Sequence, residues 1–362
     1  MGPRAKSGPS RRLVGLYATL FIGNAGAWLW AVEVCRGRPI LMGAALLAYV
    51  LGLRHAVDAD HIAAIDNVTR RLATNPRRPL TVGLWFSLGH STVVVLACGA
   101  IAILSATFRS RFAHLSEVGG AVGTGISASF LFAIALANVV ALRPIWRAFR
   151  ASRGVAEAPV SESESQAPVG LLVRLLSPVL RLVARPWHMY PLGFLFGLGF
   201  DTATEVGLLA IAAGQASHGL PLWSIMVFPA LFTAGMSLVD TTDGVLMAGA
   251  YGWAFVQPAR RLVYNLVVTL VSIAIAVVVG AVEILGLIAG KLSLDGVFWR
   301  RIIGVTDHFS LLGALIIASL AGLWLASILA WRFRRPVAAH HILVGERMGA
   351  AGPSRSRGAL SP

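Results

Sequence analysis

Residues 40–66 read ILMGAALLAYVLGLRHAVDADHIAAID: fourteen uncharged positions, then an arginine, two histidines and three aspartates within the next thirteen. The first half is long and apolar enough to enter a bilayer, and the second half carries side chains that hydrocarbon strongly disfavours. Outward from this stretch, apolar runs of about 20 residues recur near 13–34, 81–106, 119–142, 189–214, 221–250, 263–290 and 306–331, each matching a hydrocarbon core about 30 Å thick. The 362 residues are 56% hydrophobic and 13% charged, with a mean hydropathy of +0.74, whereas a soluble chain carries about 25% charged residues. These figures exclude a large soluble domain. They predict an all-α integral membrane protein of about eight transmembrane helices.

The net charge of +15 would suggest nucleic acid as a partner in a soluble protein, but here it follows membrane topology. Of 31 Lys and Arg, 23 fall in the N-terminal tail, the segments around Arg70–Arg78, 143–188 and Arg260–Arg261, and the C-terminal tail; seven fall in the alternate connections. By the positive-inside rule both termini are cytoplasmic, in a cytoplasmic membrane. The expected organisation is a tail at 1–12, a polytopic transmembrane domain at 13–331 and a tail at 332–362 rich in Gly, Ser and Arg, predicted to be disordered. The cytoplasmic loop at 147–187 contains the polar linker VAEAPVSESESQAP and the apolar, Arg-punctuated LLVRLLSPVLRLVARP, which is expected to lie along the inner leaflet. The first run is too long for a signal peptide and no small-residue cleavage site precedes Cys35. Cys35 and Cys98 form no metal motif and read as small buried hydrophobes.

Seven of the 16 acidic residues sit in three short intramembrane segments: Asp58, Asp60 and Asp66 in the second span, Asp201 and Glu205 in the fifth, Asp240 and Asp243 in the sixth; a fourth, in the third span, carries His90. Unpaired, they would cost roughly 20 kcal/mol at about 3 kcal/mol each, so they line a pathway or bind something. On an ideal helix His55, Asp58 and His61 share one face, with Asp66 about three turns further along near the azimuth of His55. Asp60 lies off that face, and Arg54 is one turn before Asp58, where it can pair with it. Imidazole with carboxylate suits Ni²⁺, Co²⁺, Zn²⁺ or Cu²⁺ and matches Mg²⁺ or Ca²⁺ poorly. His90 in FSLGHSTVV, Thr204 beside Glu205, and the hydroxyl and carboxylate groups of the fifth and sixth spans can ligate, carry protons or orient the histidines. An echo links GLRHAVDAD at 52–60 with GLGFDTATE at 197–205, on helices of opposite direction, as an inverted repeat requires. GLIAGK at 286–291 has the wrong spacing for a phosphate loop, and no zincin motif occurs.

RHAVDADHI at 54–62, FSLGHSTVV at 86–94, LGFDTATE at 198–205 and LFTAGMSLVDTTDG at 231–244 resemble, in order, the four signature segments of the nickel/cobalt transporter family. The resemblance covers most of the chain and extends to eight helices with cytoplasmic termini. It implies a secondary permease that takes up Ni²⁺, Co²⁺ or both, not an enzyme, with no cofactor, no nucleic acid and no ATPase subunit; its partners are the metal ion and membrane lipid. It implies that His55, Asp60 and His61 are central to metal recognition, drawing Asp60 towards the site. It also implies that Asn24, in NAGAW of the first span, works with the second. The expected metal residues are therefore His55, Asp58, Asp60, His61 and His90, with Asn24, Asp66, Asp201, Thr204, Glu205, Asp240 and Asp243 supporting them or lining the route. Efflux of the same metals, and an intramembrane metalloenzyme with Ser91 as nucleophile, are the alternatives.

Overall fold

The computed structural model of the chain describes residues 11–73, 79–103, 106–152, 183–199, 203–254 and 258–333. Among them there are twelve α-helices, a 3-10 turn at Pro186–His188 and no strand. Only helices or closed barrels satisfy backbone hydrogen bonds within hydrocarbon, and the apolar runs select helices. They are α1 (Arg11–Val34), α2 (Pro39–His55), α3 (Ala59–Leu72), α4 (Val82–Ile103), α5 (Ala106–Ser152), α6 (Met189–Gly197), α7 (Ala203–Ser217), α8 (Leu222–Ile225), α9 (Val227–Ala254), α10 (Pro258–Lys291), α11 (Val297–Thr306) and α12 (Phe309–Phe333).

Six stretches are long and apolar enough to cross a membrane: α1, α4, the middle of α5, α8 with α9, most of α10, and α12 to Ser327. The pair α2 and α3, bent by 51°, makes a seventh. Among the described residues six or seven of the about eight expected spans therefore pass by length and apolarity, and the expected fifth is not among them. Residues 189–214 fall on α6 and α7, of 9 and 15 residues, and neither alone reaches the ~17 residues a span needs. α5, in contrast, overshoots its predicted end and stays helical to Ser152.

The second span breaks at Ala56–Val57–Asp58. Val57 N–H donates to Arg54 O at 3.1 Å and Asp58 N–H to His55 O at 2.9 Å, tightening the last turn. Asp58 then turns extended (φ −65°, ψ 147°) and occupies the N-cap position of α3. Aspartate favours that position, but here its carboxylate makes no capping bond. Both segments of the internal echo lie at interruptions, 52–60 across the α2–α3 break and 197–205 across the gap between α6 and α7.

Glycines let these helices touch backbone to backbone. A methyl group on Gly89 of α4 would overlap the carbonyl oxygen of Tyr190, and one on Gly193 of α6 that of Phe86, so the two helices interlock reciprocally. A core of small and aromatic residues, including Ala31, Ala45, Ala48, Leu208, Phe228 and Phe232, joins α1, α2, α7 and α9 and contains both free cysteines, which are buried as expected. Phe21, Ile22 and Leu29 of α1 stay exposed, as a lipid-facing surface does. The chain forms two compact units, residues 1–318, which hold everything described below, and 319–362, whose described part is the last 15 residues of α12.

Candidate metal centre

Interrupting the second span places its two histidines on different helices. His55 ends α2, His61 lies in the first turn of α3, and His90 enters from α4. Their ring centroids are 4.6 to 4.8 Å apart, one nitrogen from each ring falls within 4.8 Å of the others, and none of the three is more than 2% exposed. Phe86 and Phe232 wall the group with ring contacts to His61 and His55 at 4.8 and 5.6 Å.

Each imidazole meets a carboxylate. His55 Nδ1 lies 2.8 Å from Asp58 Oδ2 and 3.0 Å from Thr204 Oγ1. His61 Nδ1 lies 3.3 Å from Asp240 Oδ2, and His90 Nε2 lies 2.8 Å from Glu205 Oε1. The Nε2 atoms of His55 and His90 are themselves 2.9 Å apart. Because Asp58 can only accept, His55 carries its proton on Nδ1 and its Nε2 is a lone-pair acceptor. His90 therefore donates from Nε2, sharing one N–H between His55 Nε2 and Glu205. His61, protonated towards Asp240, keeps its Nε2 free of hydrogen bonds among the described residues, and His90 Nδ1 makes none among them either. Such an array presents imidazole nitrogens in a dry pocket beside carboxylates, a donor set for a borderline divalent cation.

The predicted residues fall into three places. His55, His61 and His90 come together, with Asp58, Thr204, Glu205 and Asp240 each touching a ring. Asp58 reaches the site through His55 and not through Arg54, which is exposed and bonds Ser310 at 3.2 Å. The break also corrects the single-face picture, since the three second-span groups converge across a bend. Asp60, in the first turn of α3, is half-buried, and its charge reaches His55 and Asp240. Asn24 ties three helices: its Nδ2 donates to Leu20 O and, at 3.3 Å, to Ala234 O, and its Oδ1 accepts from Tyr49.

Asp66 sits elsewhere, accepting from Tyr251 and, at 3.2 Å, from Ser272. Asp243 is buried one turn beyond Asp240 on α9. Asp201 lies outside the described residues, two positions before α7 begins. Sequence reasoning missed Tyr251, Ser272 and a buried Glu283, which accepts from Ser127 at 2.8 Å across the α5–α10 contact. A charge inside the apolar run 263–290 was the available signal for Glu283. Tyr251 and Ser272 carry no signal apart from their partner.

A family model described as high-affinity nickel-transport protein matches residues 41–330. The chain is 53% identical over 328 residues to a high-affinity nickel transport protein of Cupriavidus necator, covering 90% of this chain and 93% of the relative. It is 46% identical over 339 residues to the nickel transporter NicT of Mycobacterium tuberculosis, 90% of each chain. It is also 38% identical over 292 residues to the cobalt transport protein NhlF of Rhodococcus rhodochrous, covering 80% of this chain and 82% of that one. No solved structure matches.

Proposed function

Because the chain belongs to the family of high-affinity nickel-transport proteins, and is thus a multi-pass membrane transport protein and not an enzyme, we propose that it is a secondary permease taking up Ni²⁺, Co²⁺ or both across the cytoplasmic membrane. The observation that carries this reading is the convergence of His55, His61 and His90 from three helices, each against a carboxylate.

A hydrated cation arriving from outside exchanges water for the imidazole nitrogens. His55 Nε2 and His61 Nε2 already offer lone pairs, held in that tautomer by Asp58 and Asp240. Only His90 must change tautomer: its Nε2 carries the shared proton, and passing that proton to Glu205 at 2.8 Å while Nδ1, which makes no hydrogen bond among the described residues, takes one up keeps the ring neutral and frees Nε2. Thr204 fixes the His55 ring from its other edge. Asn24 couples α1 to α2 and α9 around the site, which suits a support role. A potential of 100 mV, negative inside, favours inward movement of two charges by roughly 4.6 kcal/mol, so accumulation requires no ATP.

The test is accumulation of radiolabelled Ni²⁺ and Co²⁺ by cells expressing the chain, each competed by the other and by Zn²⁺. Uptake above background, lost in His55→Ala, His61→Ala and His90→Ala variants that still insert, is expected. Wild-type uptake in all three variants would move the site away from the histidines, and depletion of preloaded metal by the chain would reverse the direction to efflux.

A further inference from the structure

Beyond the histidine centre, α3 and α9 run on together towards the side that the charge asymmetry makes cytoplasmic. His61 faces Asp240, Gly244 packs beside Ile65, with 3.5 Å between a methyl built there and Ile65 Cγ2, and Tyr251 reaches Asp66. Asp243 therefore lies along α9 between the partner of His61 and the partner of Asp66. Asp66 is 1% exposed and Asp243 6%, and the charge of Asp66 reaches Asp243. Tyr251 and Ser272 both point their hydroxyls at Asp66. Asp243 Oδ2 is buried and hydrogen-bonded to nothing among the described residues. A buried carboxylate oxygen without a donor is costly, and it is retained where something else visits it.

We infer that Asp66 and Asp243, with the hydroxyls of Tyr251 and Ser272, form a second cation station, an all-oxygen one, between the histidine centre and the cytoplasm. The inference rests on the transport reading above. Along α3, Asp66 is five residues beyond His61, or about 7.5 Å of helix rise, a short step for an ion leaving the imidazoles. The change of donors sets the direction. Ni²⁺ and Co²⁺ prefer imidazole nitrogen to carboxylate oxygen, so the second station holds them more weakly than the first and passes them on. Arg70, a turn beyond Asp66 and held by Thr269 at 2.8 Å, weakens it further by placing a fixed positive charge on its inner side. An ion reaching the carboxylates is thus released and not trapped.

Mn²⁺ is the probe, because it prefers oxygen ligands and its binding is read directly by electron paramagnetic resonance. With the purified full chain, Mn²⁺ binding is expected both in wild type and in a His55→Ala/His61→Ala/His90→Ala variant. It should weaken by about tenfold or more in Asp243→Asn and in Asp66→Asn/Asp243→Asn, while Ni²⁺ affinity at the histidines changes by less than about threefold. Asp243→Asn is the informative single change, since it removes no hydrogen bond to the orphan oxygen and keeps the side-chain shape. In transport, the same variant should lower the maximal rate about tenfold with little change in KM, as loss of an exit step does. Equal Mn²⁺ affinity in wild type and both aspartate variants would overturn the station. Histidine variants that bind Ni²⁺ normally would instead sink the transport site and leave the Mn²⁺ result readable.

Discussion

At the residue scale, the arrangement explains why carboxylates accompany every histidine. Imidazole donates a lone pair from one nitrogen only if its proton is held on the other, and Asp58 does this for His55 at 2.8 Å and Asp240 for His61 at 3.3 Å. Asp58→Asn can still accept through its amide oxygen but no longer supports the ring with a charge. Ni²⁺ affinity, measured by equilibrium binding to the purified chain, is expected to fall about 10- to 100-fold. Protons and metal compete for the same nitrogens, so affinity should also weaken as the pH is lowered from about 7.5 to 5.5 in a binding assay. A centre built from carboxylates alone would be nearly flat there, since free Asp and Glu titrate near 4. Which residue types belong to the centre was legible in the sequence, because charged side chains in an apolar run are conspicuous. Which atom meets which was not: Asp58 and Arg54 are one turn apart on paper, yet Arg54 turns outward to Ser310.

At the element scale, the interruption of α2 and α3 matters most. Hydrophobic periodicity sees the average direction of a span and is blind to a three-residue turn within it, so 40–66 read as one helix. Asp58, a favoured N-cap residue ahead of a short polar helix, was the only local sign. The interlock of α4 and α6 through Gly89 and Gly193 holds His90 against the break. Gly89→Ala or Gly193→Ala forces a methyl into a facing carbonyl and should separate the helices, costing about 1 to 3 kcal/mol. The expected signature is a lower unfolding temperature of the purified chain together with weakened Ni²⁺ binding. Gly15, which meets nothing around it, provides the control, where an alanine should change neither.

At the scale of the whole molecule, the linker and the helices answer to different constraints. Deleting 157–167 removes neither a candidate ligand nor an apolar face, and transport should be nearly unchanged; loss of uptake at normal expression would give that loop a function. Composition alone determined that this chain is a helical membrane protein, because hydrocarbon admits so few backbone solutions that apolar length nearly suffices. The four motifs also pointed to metal-binding chemistry, since buried His, Asp and Glu are too costly in a bilayer to lack a purpose. Tertiary structure alone decided that the fifth span is two short helices and that His55 and His61 meet across a bend. It also decided that Asp66 belongs with Tyr251 and Ser272, apart from the histidines. These are outcomes of contacts between residues up to 206 positions apart, as Asp66 and Ser272 are, and a local pattern carries no information about a partner that only packing brings near.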